Sequence, residues 1–196
     1  MQFEKSVVLK NRMVCLLRNA VPDDADDVAA IYLLTHMETD YLLSYPEESP
    51  SEEKERVFLT ALENSGNALE ILAYIDGRIV GEAGIHPIGS KGKICHRASF
   101  GVSVAKEYWG LGIGRALTEA CLECAKKAGY LQIELEVVAE NRAALALYQS
   151  VGFVEYGRNP KGFLSRQNGW QTLILMRLEL TETAPAEKTV EPGEEN

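Results

Sequence analysis

The sequence predicts an α/β (α+β) fold: a single domain with a mixed, mostly antiparallel sheet flanked by helices, in the order β-α-α-β-β-β-α-β-α-β-β. Three observations predict it. Apolar runs at 68–75 and 78–88 are joined by Asp76-Gly77, a two-residue hairpin signal, and a third apolar run follows at 94–104, so a meander occupies the middle of the chain. Beyond it, helical patterns at 113–128 and 141–151, closed by Gly129 and Gly152, alternate with apolar strands at 132–138 and 153–158. The 196 residues, 46% hydrophobic and 25% charged, suffice for one well-buried domain.

Taken in order, residues 13–17 read as a short apolar strand. AVPDDADDVAAIYLL opens a helix, with Asp24 as its expected cap and Val28, Ile31 and Leu34 on one face. Ser49-Pro50-Ser51-Glu52 reads as a capping box with proline in the first turn, and this second helix runs to about residue 64, before Gly66. After the hairpin, 89–93 is a turn and 94–104 a long strand. Residues 132–138 alternate, with Ile133, Leu135 and Val137 against Gln132, Glu134 and Glu136. Asn141 caps the next helix, and strands at 153–158 and 171–180 close the domain.

The formal charge is −9, and the last sixteen residues, TETAPAEKTVEPGEEN, hold five Glu against one Lys. Such a segment has little to bury and reads as a disordered tail, so the domain is expected over 1–180 and the tail over 181–196. An acidic surface argues against nucleic acid as a partner. No apolar run has the length of a membrane span, and MQFEKSVVLKNR lacks the apolar core of a signal peptide, so no membrane partner and a cytoplasmic location are expected. Cys121 and Cys124 form a CxxC, but they share a helical stripe with Leu117, Ala120 and Ala128, and no second CxxC or His pair accompanies them. Packing is expected of them, and no metal.

The chemistry concentrates in YWGLGIGRAL, residues 108–117, where Gly110, Gly112 and Gly114 precede a helix and Arg115 follows. A helix start leaves amide hydrogens without partners, and glycine lets a ligand approach them closely, so an anion such as a phosphate is the expected occupant. The dinucleotide fingerprint does not fit, because the spacing is GxGxG and not GxGxxG. A glycine-rich loop with no ligand is the plain alternative.

Downstream, ENRAALALYQSVGF places Asn141, Ala144, Leu147-Tyr148 and Gly152-Phe153 in order. Together with SVAKEYWGLGIGRAL, this resembles the GNAT superfamily of N-acetyltransferases, over about residues 14–178. One position departs from the family pattern: Trp109 stands where Arg or Gln is usual.

The resemblance implies acetyl-CoA as cosubstrate. Its pyrophosphate would be held by the loop Trp109, Gly110, Leu111, Gly112, Ile113, Gly114 and Arg115. Its pantetheine arm would pair with the backbones of Val102 and Val104, in a gap between that strand and 132–138, with Asn141 in reach of the arm. Capping alone explains Asn141 about as well. Tyr148 would donate a proton to the departing thiolate, its alternative being an aromatic at the edge of the core. Residues 96–104 carry no carboxylate to serve as base. Glu82, on the neighbouring strand and of one parity with His86, is the first candidate, followed by His86, His96 or a water chain. Tyr41, Tyr45, Phe163 and Trp170 are the expected walls of the acceptor pocket. The acceptor is a primary amine, with a small molecule or amino acid favoured. A peptide or protein N-terminus, and a non-catalytic acyl-CoA-binding module, are the alternatives. A homodimer is left open.

Overall fold

Eight strands form one sheet in the computed structural model, which describes residues 2–180; the tail expected at 181–196 lies outside the described residues. In chain order the elements are β1 (Glu4–Val8), β2 (Val14–Asn19), α1 (Ala25–Glu38), α2 (Glu52–Glu63), β3 (Leu69–Ile75), β4 (Arg78–Pro87), β5 (Arg97–Val104), α3 (Ile113–Lys127), β6 (Gln132–Val138), α4 (Arg142–Ser150), β7 (Val154–Ser165) and β8 (Gly169–Glu179). The strands lie side by side as β1-β2-β3-β4-β5-β6-β8-β7. Every neighbouring pair is antiparallel except β5 and β6. The β3–β4 turn uses positive φ at Asp76 (49°) and Gly77 (79°), as a two-residue hairpin twisted with its strands requires.

Apolar side chains leave the sheet on both faces, so each face needs a cover. On one, Ile71, Ala83, Ala98, Ile133 and Leu135 pack with Leu117, Ala120, Cys121 and Cys124 of α3 and Leu145 and Tyr148 of α4. Cys121 and Cys124 are buried there as small apolar groups, and burial pushes both thiols up. On the other face, Leu72 packs with Val28 of α1 and Leu59 and Leu62 of α2.

The structure departs from the sequence reading at five places; one is that the strand expected from residue 94 begins at Arg97, because 92–96 form a turn. The strand β1 was not expected. Its residues are mostly exposed, so no apolar alternation marks it, and it exists because β2 offers a ladder from Val14 to Arg18. The strand β7 runs on to Ser165 past Pro160, which is tolerated because β7 is an edge strand and its pairing is irregular between Asn159 and Phe163. The cap of α2 is Ser51, whose Oγ accepts from Lys54 N at 3.4 Å, while Ser49 Oγ is buried without a partner, so the capping box beginning at Ser49 does not form. Asp24 stands at the N-cap position of α1, but its side chain makes no cap hydrogen bond; a bidentate Arg18 holds its carboxylate at 2.7 Å on each oxygen.

Candidate active site

Pairing between β5 and β6 stops early. Only Arg97 to Ser99 match Gln132 to Glu134, and beyond Ser99 the two strands part. Ala105 N bonds Val80 O on the β4 side, whereas His96 O accepts from the β6 side. The alternation of a strand therefore turns the backbone groups of Phe100, Val102 and Val104 toward the gap. Trp109 already uses one of them: its indole N–H donates to Val104 O at 2.6 Å, while the ring remains 48% exposed.

The glycine loop lies beside this gap. Gly110 (φ 78°) and Gly112 (φ 101°) are in the left-handed region that side chains disfavour, and Gly112 is the N-cap of α3 with no side-chain cap. The N–H groups from Gly110 to Arg115 donate to no backbone or side-chain acceptor among the described residues. A Cβ on Gly110 or Gly112 would meet nothing within 4 Å, and Gly114 would touch only Leu147 Cδ2 at 3.4 Å. Six amides without a protein acceptor thus cluster at the positive end of a fifteen-residue helix. The turn between β1 and β2 supports them, with Lys10 N donating to Leu111 O at 3.2 Å. Arg115 is tied to Ser150 Oγ (2.5 Å) and Glu119 (3.3 Å).

Gap and loop open on a single cavity of about 1490 Å³. Its lining includes Val102, Val104, Trp109, Gly110, Gly112, Ile113, Gly114, Arg115, Asn141 and Tyr148, together with Glu82, Tyr41 and Phe163. Leu111, Tyr45 and Trp170 are not in that lining. Tyr45 instead donates its hydroxyl to Leu164 O (3.1 Å) with the Arg166 guanidinium 3.6 Å over its ring, and Trp170 is 58% exposed on β8. Tyr45 is thus taken up by the β7–β8 hairpin tip and Trp170 is turned outward, away from the cavity lining.

Asn141 caps α4, its Oδ1 accepting from Ala144 N at 3.2 Å, and it also lines the cavity. Tyr148, 7% exposed, stands edge-on to Phe100 (6.3 Å, 89°) and packs on Phe153 (5.8 Å). Its hydroxyl makes no hydrogen bond among the described residues, and burial pushes its pKa up to about 12. Glu82 is 9% exposed, with Ser103 Oγ donating to its Oε1 at 3.3 Å. Burial, then the charges of Glu70 and Glu55, raise its carboxyl well above the usual carboxylate range.

Sequence reading missed several lining groups. Lys10 and Arg142 line the cavity beside the amide cradle, while Glu70, Glu134 and Glu136 line it at the other end. Alternation on 132–138 marked Glu134 and Glu136 as sharing a face; Glu70 gave no signal, because its position depends on β3 pairing with β4. Glu134 is held by Arg97 Nη2 (2.7 Å) and Tyr156 (3.3 Å), and the Arg97 bond keeps its carboxyl below the usual range. The roof of that end is pinned. Residues 39–47 are tied to the β7–β8 tip by Ser165 Oγ and Asn168 Nδ2 (3.0 Å), both donating to Asp40, and by an Arg166–Glu47 ion pair. No helix among the described residues is long and apolar enough to cross a membrane.

The family model for the acetyltransferase (GNAT) family matches residues 33–153. Among curated proteins, the [ribosomal protein bS18]-alanine N-acetyltransferase of Escherichia coli K12 is 35% identical over 82 residues, 42% of this chain and 55% of that protein. The chain spans about half the length of the curated relatives it matches. Among solved structures, a GNAT-family acetyltransferase from Streptococcus pneumoniae superposes with a TM-score of 0.81 at 28% identity, covering 84% of this chain and 99% of that one. A phosphinothricin acetyltransferase of Sinorhizobium meliloti, solved with acetyl-CoA, shares the fold at a TM-score of 0.77 and 20% identity, over 94% of this chain and 97% of that one.

Proposed function

Because the chain belongs to the GNAT acetyltransferase family, we propose that it is an N-acetyltransferase that moves the acetyl group of acetyl-CoA directly to the primary amine of a small molecule. One observation carries this reading. A single cavity joins the unpaired amides of the glycine loop, an open strand edge, a buried phenol and a border of carboxylates. The amides of Gly110 to Arg115 fit a pyrophosphate, with Lys10 and Arg142 adding positive charge nearby. The open backbone of Val102 fits the amide groups of a pantetheine arm as an added strand would, with Asn141 on the opposite wall.

When bound, acetyl-CoA supplies an activated thioester. Val102 N–H, directed into the gap, hydrogen-bonds the carbonyl oxygen as negative charge develops on it. Tyr148 donates its proton toward the leaving sulfur; its raised pKa keeps it protonated across the neutral range. Glu82 accepts the amine's proton. Its burial makes the ionised form a stronger base than an exposed carboxylate, although a smaller fraction is ionised at a given pH.

A peptide or protein N-terminus is the second reading, favoured by the E. coli relative's name. The pinned roof over the acceptor end supports the small molecule instead, since a peptide needs an open groove. A screen of amines, amino acids and N-terminal peptides, detecting free coenzyme A, tests both. Thiol release with small amines is the expected result. Release with peptides alone would transfer the assignment to the second reading, and acetyl-CoA binding without release for any acceptor would show a binding module.

A further inference from the structure

The floor of the acceptor end is bare. Gly84 on β4 and Gly101 on β5 are direct partners, with Ser103 opposite Glu82 and Ser99 opposite His86 on the same face. A Cβ on Gly101 would meet nothing within 4 Å, so the trough between these side chains is bare at Gly101. Position 84 has no room for one: a Cβ there would lie 2.4 Å from Glu70 Oε2 and 2.9 Å from His86 Nε2. Glycine at 84 is what lets Glu70 lean from β3 across the edge of the trough.

Carboxylates border this trough. Glu82 and Glu70 stand on one side and Glu136 on the other, all in the cavity lining. Behind Glu70, Glu55 of α2 is only 6% exposed and its carboxyl has no hydrogen-bond partner among the described residues. Burial, then the charge of Glu70, raises the Glu55 carboxyl. The sole ion-pair partner within 4 Å of these four glutamates, among the described residues, is His86, 3.8 Å from Glu70. Of the lysine and arginines of the cavity lining, Lys10 lies on the β1–β2 turn bonded to the glycine loop, and Arg115 and Arg142 lie at the starts of α3 and α4. Glu136 is exposed and Glu70 half-buried, whereas Glu82 and Glu55 are buried, and buried carboxylates without a cation are expensive to keep. The groups are also spread wider than a metal's ligand set: among the described residues no three carboxylate, imidazole or thiol groups converge at metal-binding range.

We propose that the acceptor is a linear diamine or polyamine, lying over Gly101 with one amine at Glu82 for acetylation and a second, ammonium group seated on Glu70. This rests on the acetyltransferase reading and narrows its substrate class. Glu70 is the cross-strand partner of Gly84, so it stands diagonally from Glu82. Diagonal neighbours in an antiparallel pair lie about 7–8 Å apart, which a linker of about four or five methylenes spans. A free amino acid would bring a carboxylate into the same acidic trough, and charge repulsion disfavours it.

Steady-state kinetics with diaminopentane, pentylamine, aminopentanoate and a short peptide test this, alongside calorimetric titration of diaminopentane into the protein without acetyl-CoA. The diamine is expected to exceed pentylamine in kcat/KM by at least about tenfold. Glu70→Gln, which keeps the shape, is expected to lower that ratio at least about fivefold and to weaken the calorimetric binding. Gly101→Val, placed where a side chain meets nothing, is expected to raise the diamine KM. Equal kcat/KM for diamine and monoamine, an unchanged ratio in Glu70→Gln, or a preference for the peptide or the amino acid overturns the inference and leaves the acetyltransferase standing. If no amine releases thiol, the acetyltransferase reading fails instead. The titration then decides alone: binding lost in Glu70→Gln supports the cation seat, and no binding to the wild type refutes it.

Discussion

Replacing Tyr148 with phenylalanine removes one oxygen and little else. The ring keeps its contacts with Phe100 and Phe153, and the hydroxyl has no hydrogen bond to lose among the described residues, so the melting temperature is expected to stay nearly constant. The effect should fall on chemistry. A positioned proton donor contributes about a hundredfold to ten-thousandfold, but with a pKa near 12 this phenol is a weak donor to a thiolate whose conjugate acid lies near 8.5 in water. The same burial strengthens the thiolate as a base, so a loss toward the lower end is expected: kcat down about tenfold to a thousandfold, or about 1.4 to 4 kcal/mol of barrier. Because Tyr148 stays protonated from pH 6 to 9.5, that ratio should not vary over the range. Thiol-release kinetics across those pH values, with acetyl-CoA affinity measured by calorimetry, provide the assay. A Phe variant with wild-type kcat, or one whose loss tracks acetyl-CoA affinity, would refute the acid role.

Gly114→Glu should fold, because position 114 is helical and its Cβ meets only Leu147 at 3.4 Å, yet lose at least about tenfold in acetyl-CoA affinity by calorimetry; unchanged affinity would place the pyrophosphate elsewhere. Glu82→Gln should melt higher than wild type at pH 8, with the two converging near pH 4. Folded Glu82 holds its proton to higher pH than an unfolded glutamate at about 4.3, so its stabilising share is complete below that value and is lost as pH rises through the folded pKa. A constant difference from pH 4 to pH 8 would show that Glu82 does not titrate abnormally.

The sequence by itself determined what is local. Turn chemistry at Asp76-Gly77, the cap at Asn141 and the glycine loop before α3 follow from backbone preferences of a few neighbouring residues, so they are readable without any partner strand. The parity of Glu82 and His86 was equally readable, since alternation is a property of one strand. Only the tertiary structure decided what lies across strands. That Gly84 faces Gly101, that Glu70 leans over Gly84 with Glu55 behind it, and that β5 leaves β6 after Ser99 depend on register, which no single strand encodes. The same holds for Tyr45, whose aromatic character suggested a pocket wall but whose place was set by the hydrogen bond to Leu164 and the cation over its ring. Strand β1 illustrates the limit most simply: its own residues bury little, and it is a strand because β2 supplies the ladder.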